Sequence, residues 1–350
     1  MIAATMRSLP TANPTELSLK PFWLSLAALN VTLAIAGVIL AQRYGVSAAI
    51  AVPVVTAFAW QLSVYWAAVF ERTRARLEAI LGPGGLAAAL VVVSVAPYLI
   101  YSVPTGIFAW DSALKLGALC WIIAFVYIAF PAAGPKLTWQ DLVVALVIAY
   151  PMVSGLSPLF GDVYQGFEAP ANRLDSLGKL MLVPLGLFTF LSLRKLQGTG
   201  FHLVPRRADW RPGLESFLYG SPLIAIVALS TGYAHWNPRF DDPAYALLQA
   251  LGKLLGIYLT TALAEEFLLR GVAQNLLART TGRPLAAQAV AAILFGATHL
   301  GRGDFPNWPY FATTVVLGWF CGRAYAKSGS ITAAMITHTL VVVTQTLLFE

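Results

Sequence analysis

From Pro21 to Gln42 the chain runs PFWLSLAALNVTLAIAGVILAQ, 22 residues without a charged side chain. A helix of about 20 apolar residues crosses the hydrocarbon core of a bilayer, where the backbone must satisfy its own polar groups. Comparable runs recur at about 22–42, 46–70, 86–108, 114–133, 141–160, 178–194, 213–234, 244–270, 285–300, 309–326 and 331–349. They predict an all-α, polytopic membrane helical bundle of about 11 transmembrane helices. Composition agrees, since 11% of the residues are charged against about a quarter in a soluble domain.

The net charge of +7 does not imply a nucleic-acid partner, because the basic residues are scattered through short loops, where they set topology. With the N-terminus in the cytoplasm, 16 of the 23 Lys and Arg residues fall on the cytoplasmic side. Arg43, Lys115, Arg173, Arg239 and Arg302 fall outside, and Lys179 and Lys253 lie within spans. This balance places the C-terminus outside. The first 20 residues have no apolar core and read as a tail before an uncleaved span. Cys120 and Cys321 sit in apolar runs with no partner motif, so neither a disulfide framework nor a Cys-rich metal site is expected. Trp110, Trp139, Trp236, Trp308 and Tyr310, near span ends, read as interfacial anchors.

The basic loop at 194–212 divides the chain. Residues 1–200 form an N-terminal membrane region of about six spans, whose few polar residues make no legible cluster. Residues 201–350 hold every suggestive intramembrane charge, beginning with TALAEEFLLRGVAQ. Such charges are costly and normally face the bundle interior or a wet cavity. Glu266 and Arg270, four apart, share a helix face and can pair. Glu265 is turned by about 100° and is left for chemistry. Phe295 and His299 lie four apart in LFGATHL, and His338 lies in the last span; His202 and His235 fall in loops. Measured from the turn TTGRP, Glu265 and His299 each lie roughly 21 Å deep on antiparallel helices, while His338 lies only ~12 Å past the KSGS turn.

A glutamate with two histidines in a dry cavity suits hydrolysis. The carboxylate takes a proton from water, histidine holds that water, and a second donor stabilises the oxyanion of an attacked carbonyl. Glu265, His299 and His338 would also suit a divalent metal such as zinc, although the H-E-x-x-H signature is absent.

In order, EEFLLR, FGATH and His338 fit the motifs EExxxR, FxxxH and the start of HxxxN. Over roughly 213–350 the chain resembles the CPBP family of intramembrane proteases, which includes CAAX prenyl endopeptidases and bacteriocin-processing relatives. The resemblance implies that Glu265 activates water with help from His299. It gives His338 a part in the oxyanion site and Glu266, Arg270 and Phe295 supporting roles. Val342 stands where Asn often completes the third motif, which removes one hydrogen-bond donor. The expected activity is an intramembrane endopeptidase acting on a lipid-anchored or membrane-spanning peptide. The alternatives are a proton-coupled transporter and an inactive scaffold on the protease fold.

Overall fold

The computed structural model describes residues 19–153, 158–165, 167, 174–238 and 242–349. The N-terminal tail before residue 19 and the outer-loop arginines Arg173 and Arg239 lie outside them. The helices run in chain order as α1 (Lys20–Tyr44), α2 (Ala48–Val69), α3 (Glu71–Ser102), α4 (Trp110–Ala129), α5 (Trp139–Ala149) and α6 (Leu159–Val163). They continue as α7 (Asp175–Leu193), α8 (Arg207–Ser230), α9 (Pro243–Thr281), α10 (Pro284–Ala297), α11 (Trp308–Ser328) and α12 (Ile331–Leu348). Among the described residues there is no strand beyond an isolated bridge between Trp236 and Phe349. Eight helices are long and apolar enough to cross a membrane, and α5 and α10 are shorter apolar helices. Ten of the eleven apolar windows each fall on one of these helices, whereas 141–160 holds α5 and the start of α6 with 154–157 outside the described residues, and the protein is an all-α integral membrane bundle.

Lipid is as apolar as the bundle core, so packing and polar contacts, not hydrophobicity, hold the helices together. α8, α11 and α12 pack against one another. Gly213 lets α8 meet α12 backbone to backbone, since a Cβ there would stand 2.9 Å from the Ala333 carbonyl oxygen. In the N-terminal half, Asp141 is fully buried and accepts from Arg194 Nε at 2.9 Å and from the Tyr127 hydroxyl at 2.7 Å. The same carboxylate caps α5 by accepting from the Thr138 backbone N–H.

α9 positions the site. Two π-helical stretches, Tyr258–Ala262 and Phe267–Gln274, flank Leu263–Glu266. Such stretches shift the hydrogen-bond register by one residue and are frequent at functional sites. The Tyr65 hydroxyl on α2 donates to the Leu259 carbonyl in the first of them. The helix ends at Gly282, whose φ of 67° reverses the chain, and Pro284 opens α10. This is the tight connection expected of TTGRP.

Loops assigned by charge to one side of the membrane meet in space. Lys195 pairs with Glu78 at 2.9 Å, and Lys327 with Glu215 at 3.0 Å. At the opposite end the Tyr233 ring stacks on Tyr310, and Trp236 pairs with Phe349.

Candidate active site

The three helices α9, α10 and α12 bring together Glu265, Glu266, Arg270, Phe295 and His338, with His299 in the turn just after α10. Glu266 is fully enclosed and both its oxygens are engaged. Oε2 accepts from Arg270 Nε at 2.8 Å, and Oε1 lies 2.8 Å from His338 Nδ1. Phe295 is the wall behind them. Its ring stands edge-on to His338 and to His299, with centroids 5.7 and 4.9 Å away, and the Arg270 guanidinium lies 5.7 Å from its face. Glu265 differs from its neighbour: 23% of its side chain is accessible, against none for Glu266. Its Oε2 makes no hydrogen bond among the described residues and lies 3.7 Å from His338 Nε2.

Glu265 opens onto a cavity of about 530 Å³, whose polar rim also includes Thr298, His299 and Arg302. His299 Nδ1 is 2.9 Å from the Phe295 carbonyl. A carbonyl only accepts, so Nδ1 carries the proton and Nε2 of the neutral ring keeps its lone pair. By the same logic Glu266 fixes the proton of His338 on Nδ1, and the Nε2 nitrogen of that ring faces Glu265. Arg270 and Glu266 cancel each other's charge, which leaves His338 and Arg302 as the groups that can neutralise Glu265.

Several sequence expectations change here. His338 reaches both glutamates despite the shallower depth counted from the KSGS turn. α10 ends at Ala297, so His299 sits in the following turn and not inside a span. Tyr310, read from the sequence as an interfacial anchor, is half-buried at the start of α11 and reaches the site. Its hydroxyl accepts from Arg302 Nη1 at 2.7 Å, its ring stacks on Tyr233 with centroids 4.4 Å apart, and it stands edge-on to His299 at 4.9 Å. Trp110, Trp139 and Trp308 are exposed at the starts of their helices, and Trp236 is exposed in the loop after α8.

In the sequence Cys321 is a thiol in an apolar run with no partner motif. It lies fully buried on α11 beside the glutamates, and no spacing motif could have signalled it. Among the described residues, the group of three whose ligand atoms lie within 4.8 Å of one another is Glu266, Cys321 and His338, not Glu265, His299 and His338. That group could hold a metal by its donor types, but it fits a cation poorly. Glu266 already shares its oxygens between Arg270 and His338, and a second cation would face a fully buried guanidinium.

Taken together, the fold and the site define a polytopic membrane protein that buries a glutamate–arginine–histidine cluster between its C-terminal helices. Residues 247–344 match the family described as Type II CAAX prenyl endopeptidase Rce1-like. The matched segment carries both glutamates, Arg270, Phe295, His299 and His338, and it begins inside α9, beyond α1 to α8. No curated protein and no solved structure matches the chain.

Proposed function

We propose that the protein is an intramembrane endopeptidase that hydrolyses a peptide bond of a membrane-anchored peptide or protein. The observation that supports this most is Glu265: a partly accessible carboxylate that lines a cavity together with His299, its buried Oε2 facing His338 Nε2, within the segment that matches a protease family. Glu265 takes a proton from water as its oxygen attacks the scissile carbonyl carbon. The lone pair on His299 Nε2 accepts a hydrogen bond from the same water and aims it. The C–N bond then breaks, and Glu265 returns the proton to the leaving amine. When His338 carries a second proton, its Nε2–H is a donor for the oxyanion. Glu266 and Arg270 hold that ring in place, and no step passes through a metal.

The test uses purified wild type, Glu265→Gln and His299→Ala in detergent, with lipid-anchored and membrane-spanning peptides and mass spectrometry of the products. Cuts made by wild type and lost in both variants are expected. Folded wild type that cuts nothing, yet moves protons when reconstituted in vesicles, would instead support a transporter.

A further inference from the structure

Hydrolysis at Glu265 needs a group that meets the negative charge built on the carbonyl oxygen, and most polar groups near the cavity supply it poorly. His338 Nε2 donates only when its ring holds two protons, and it then faces Glu265 Oε2 at 3.7 Å as an ion pair. The proton that makes His338 a donor therefore ties up the base. Arg270 is fully enclosed and does not line the cavity. Thr298 Oγ1 is committed to the Phe295 carbonyl at 2.7 Å. Val342, one turn beyond His338 on α12, has no polar side-chain group.

Arg302 is the arginine in the cavity lining, on the rim with Glu265 and His299. Its backbone is fixed from both sides: the N–H donates to the His299 carbonyl at 3.2 Å, and the carbonyl accepts from Asn307 Nδ2 at 2.7 Å. Asn307 also caps α11 by accepting from the Tyr310 N–H at 2.9 Å, so His299, Arg302 and Tyr310 belong to one hydrogen-bonded unit. The side chain is held as well. Nη1 donates to the Tyr310 hydroxyl at 2.7 Å, and the Tyr310 ring is clamped between Tyr233 and His299. One tyrosine thereby sets the spacing between the guanidinium and the imidazole. Among the described residues no carboxylate pairs with Arg302, and its Nε and Nη2 make no hydrogen bond. Its charge nevertheless acts on Glu265 and on His299.

We propose that Arg302 is a catalytic residue of this site, donating from its guanidinium to the oxyanion formed at the scissile carbonyl, and that Tyr310 is the positioning residue that holds it there. This rests on the endopeptidase reading. As Glu265 takes the proton, the water oxygen bonds to the carbonyl carbon and the π pair of the C=O moves onto oxygen. Arg302 meets that charge with N–H groups in a fixed planar fork and transfers no proton. When the C–N bond breaks, the pair returns to the C=O and the amine leaves with the proton from Glu265. An arginine stays charged whatever the state of Glu265, so the donor and the base no longer compete for one proton. Arg302 is exposed and screened by water in the free protein. A peptide lying over the rim displaces that water, and the charge then acts through a lower dielectric.

The test uses full-length wild type, Glu265→Gln, Arg302→Gln, Arg302→Lys, Arg302→Ala and Tyr310→Phe in detergent, with a lipid-anchored peptide that wild type cuts. Arg302→Gln should lower kcat by about 10²–10³-fold, as loss of one oxyanion donor does, with little change in KM. Arg302→Lys keeps the charge without the fork and should recover part of the rate. Added guanidinium ion should raise kcat of Arg302→Ala to a plateau, where sodium at the same ionic strength does not. Tyr310→Phe removes the acceptor and keeps the ring, so it should lower kcat by less than Arg302→Gln. Unfolding temperatures of the Arg302 variants should match wild type, because the side chain is exposed. A raised KM at unchanged kcat would overturn the assignment and make Arg302 a binding contact. So would a loss that disappears at higher pH, the mark of a charge that only keeps Glu265 ionised, or a loss that follows a lowered unfolding temperature and resists guanidinium. In each of these cases an inactive Glu265→Gln leaves the endopeptidase standing. Folded wild type that cuts no peptide would sink both.

Discussion

Glu265 and Glu266 are adjacent in the chain and opposite in circumstance, and substitution should separate them. Glu266 is bonded to Arg270 and to His338 with no access to the cavity. Replacing it with Gln leaves a fully buried guanidinium without its anion, a change that costs about 3–5 kcal/mol in such sites. Glu265 makes no such bond through Oε2, so Glu265→Gln should abolish cleavage and leave stability within about 1 kcal/mol. Both cysteines are buried, so the rate at which a thiol-reactive dye labels the protein on heating reports unfolding directly. Glu266→Gln should label at a clearly lower temperature than wild type, and Glu265→Gln at nearly the same one. Equal destabilisation of the two variants would mean that Glu265 is also structural. The pairing of Glu266 with Arg270 was legible in the sequence, because four-residue spacing puts them on one helix face. His338 as the bridge to both was not, since it comes from a helix 72 residues away. Neither Cys321 nor Arg302 carries a spacing signal, and each reaches the site only through the packing of α11 and the loop after α10.

At the scale of elements, the eleven apolar windows became helices because a buried backbone in lipid has few alternatives. Their hydrogen-bond register was invisible. Nothing in YLTTA or FLLRGVAQ distinguishes π-helical from α-helical winding, yet that winding decides which way Glu265 faces. The first π-helical stretch has a support that can be tested. Tyr65 on α2 donates to the Leu259 carbonyl, a group in the stretch where the regular ladder changes register. Tyr65→Phe removes the donor and leaves a carbonyl unsatisfied in a dry interior, at a cost of about 1–3 kcal/mol. The expected result is a lower unfolding temperature together with a fall in kcat that exceeds any change in KM, because the substitution touches the helix carrying Glu265 and not the cavity lining. A loss of stability with unchanged kcat would show that the stretch holds its winding without α2.

Across the whole molecule, one buried cluster runs from Leu116 and Phe190 in the N-terminal half to Phe267 and Leu276 in the matched segment. Phe190 and Phe267 touch edge to face with centroids 6.3 Å apart. Polar contacts cross the same seam, from Asn275 Nδ2 to the Gln197 carbonyl at 3.0 Å and from the Tyr325 hydroxyl to the Gly198 carbonyl at 2.8 Å. Composition placed a boundary in the basic loop at 194–212, since charge marks where the chain leaves the membrane. It could not show whether the helices on either side pack together. If residues 201–350 were self-sufficient, that fragment would insert and cleave alone. The seam argues otherwise. Exposing its apolar side to lipid costs little, so the fragment should still insert. It loses the Tyr65 bond, the backbone acceptors at Gln197 and Gly198, and the α5 and α7 residues that line the cavity at Glu265. The fragment is therefore expected in the membrane fraction and inactive. Coexpression of residues 1–200 as a separate chain should restore cleavage. An active fragment would show that the C-terminal helices form a complete enzyme and that the N-terminal helices serve another purpose.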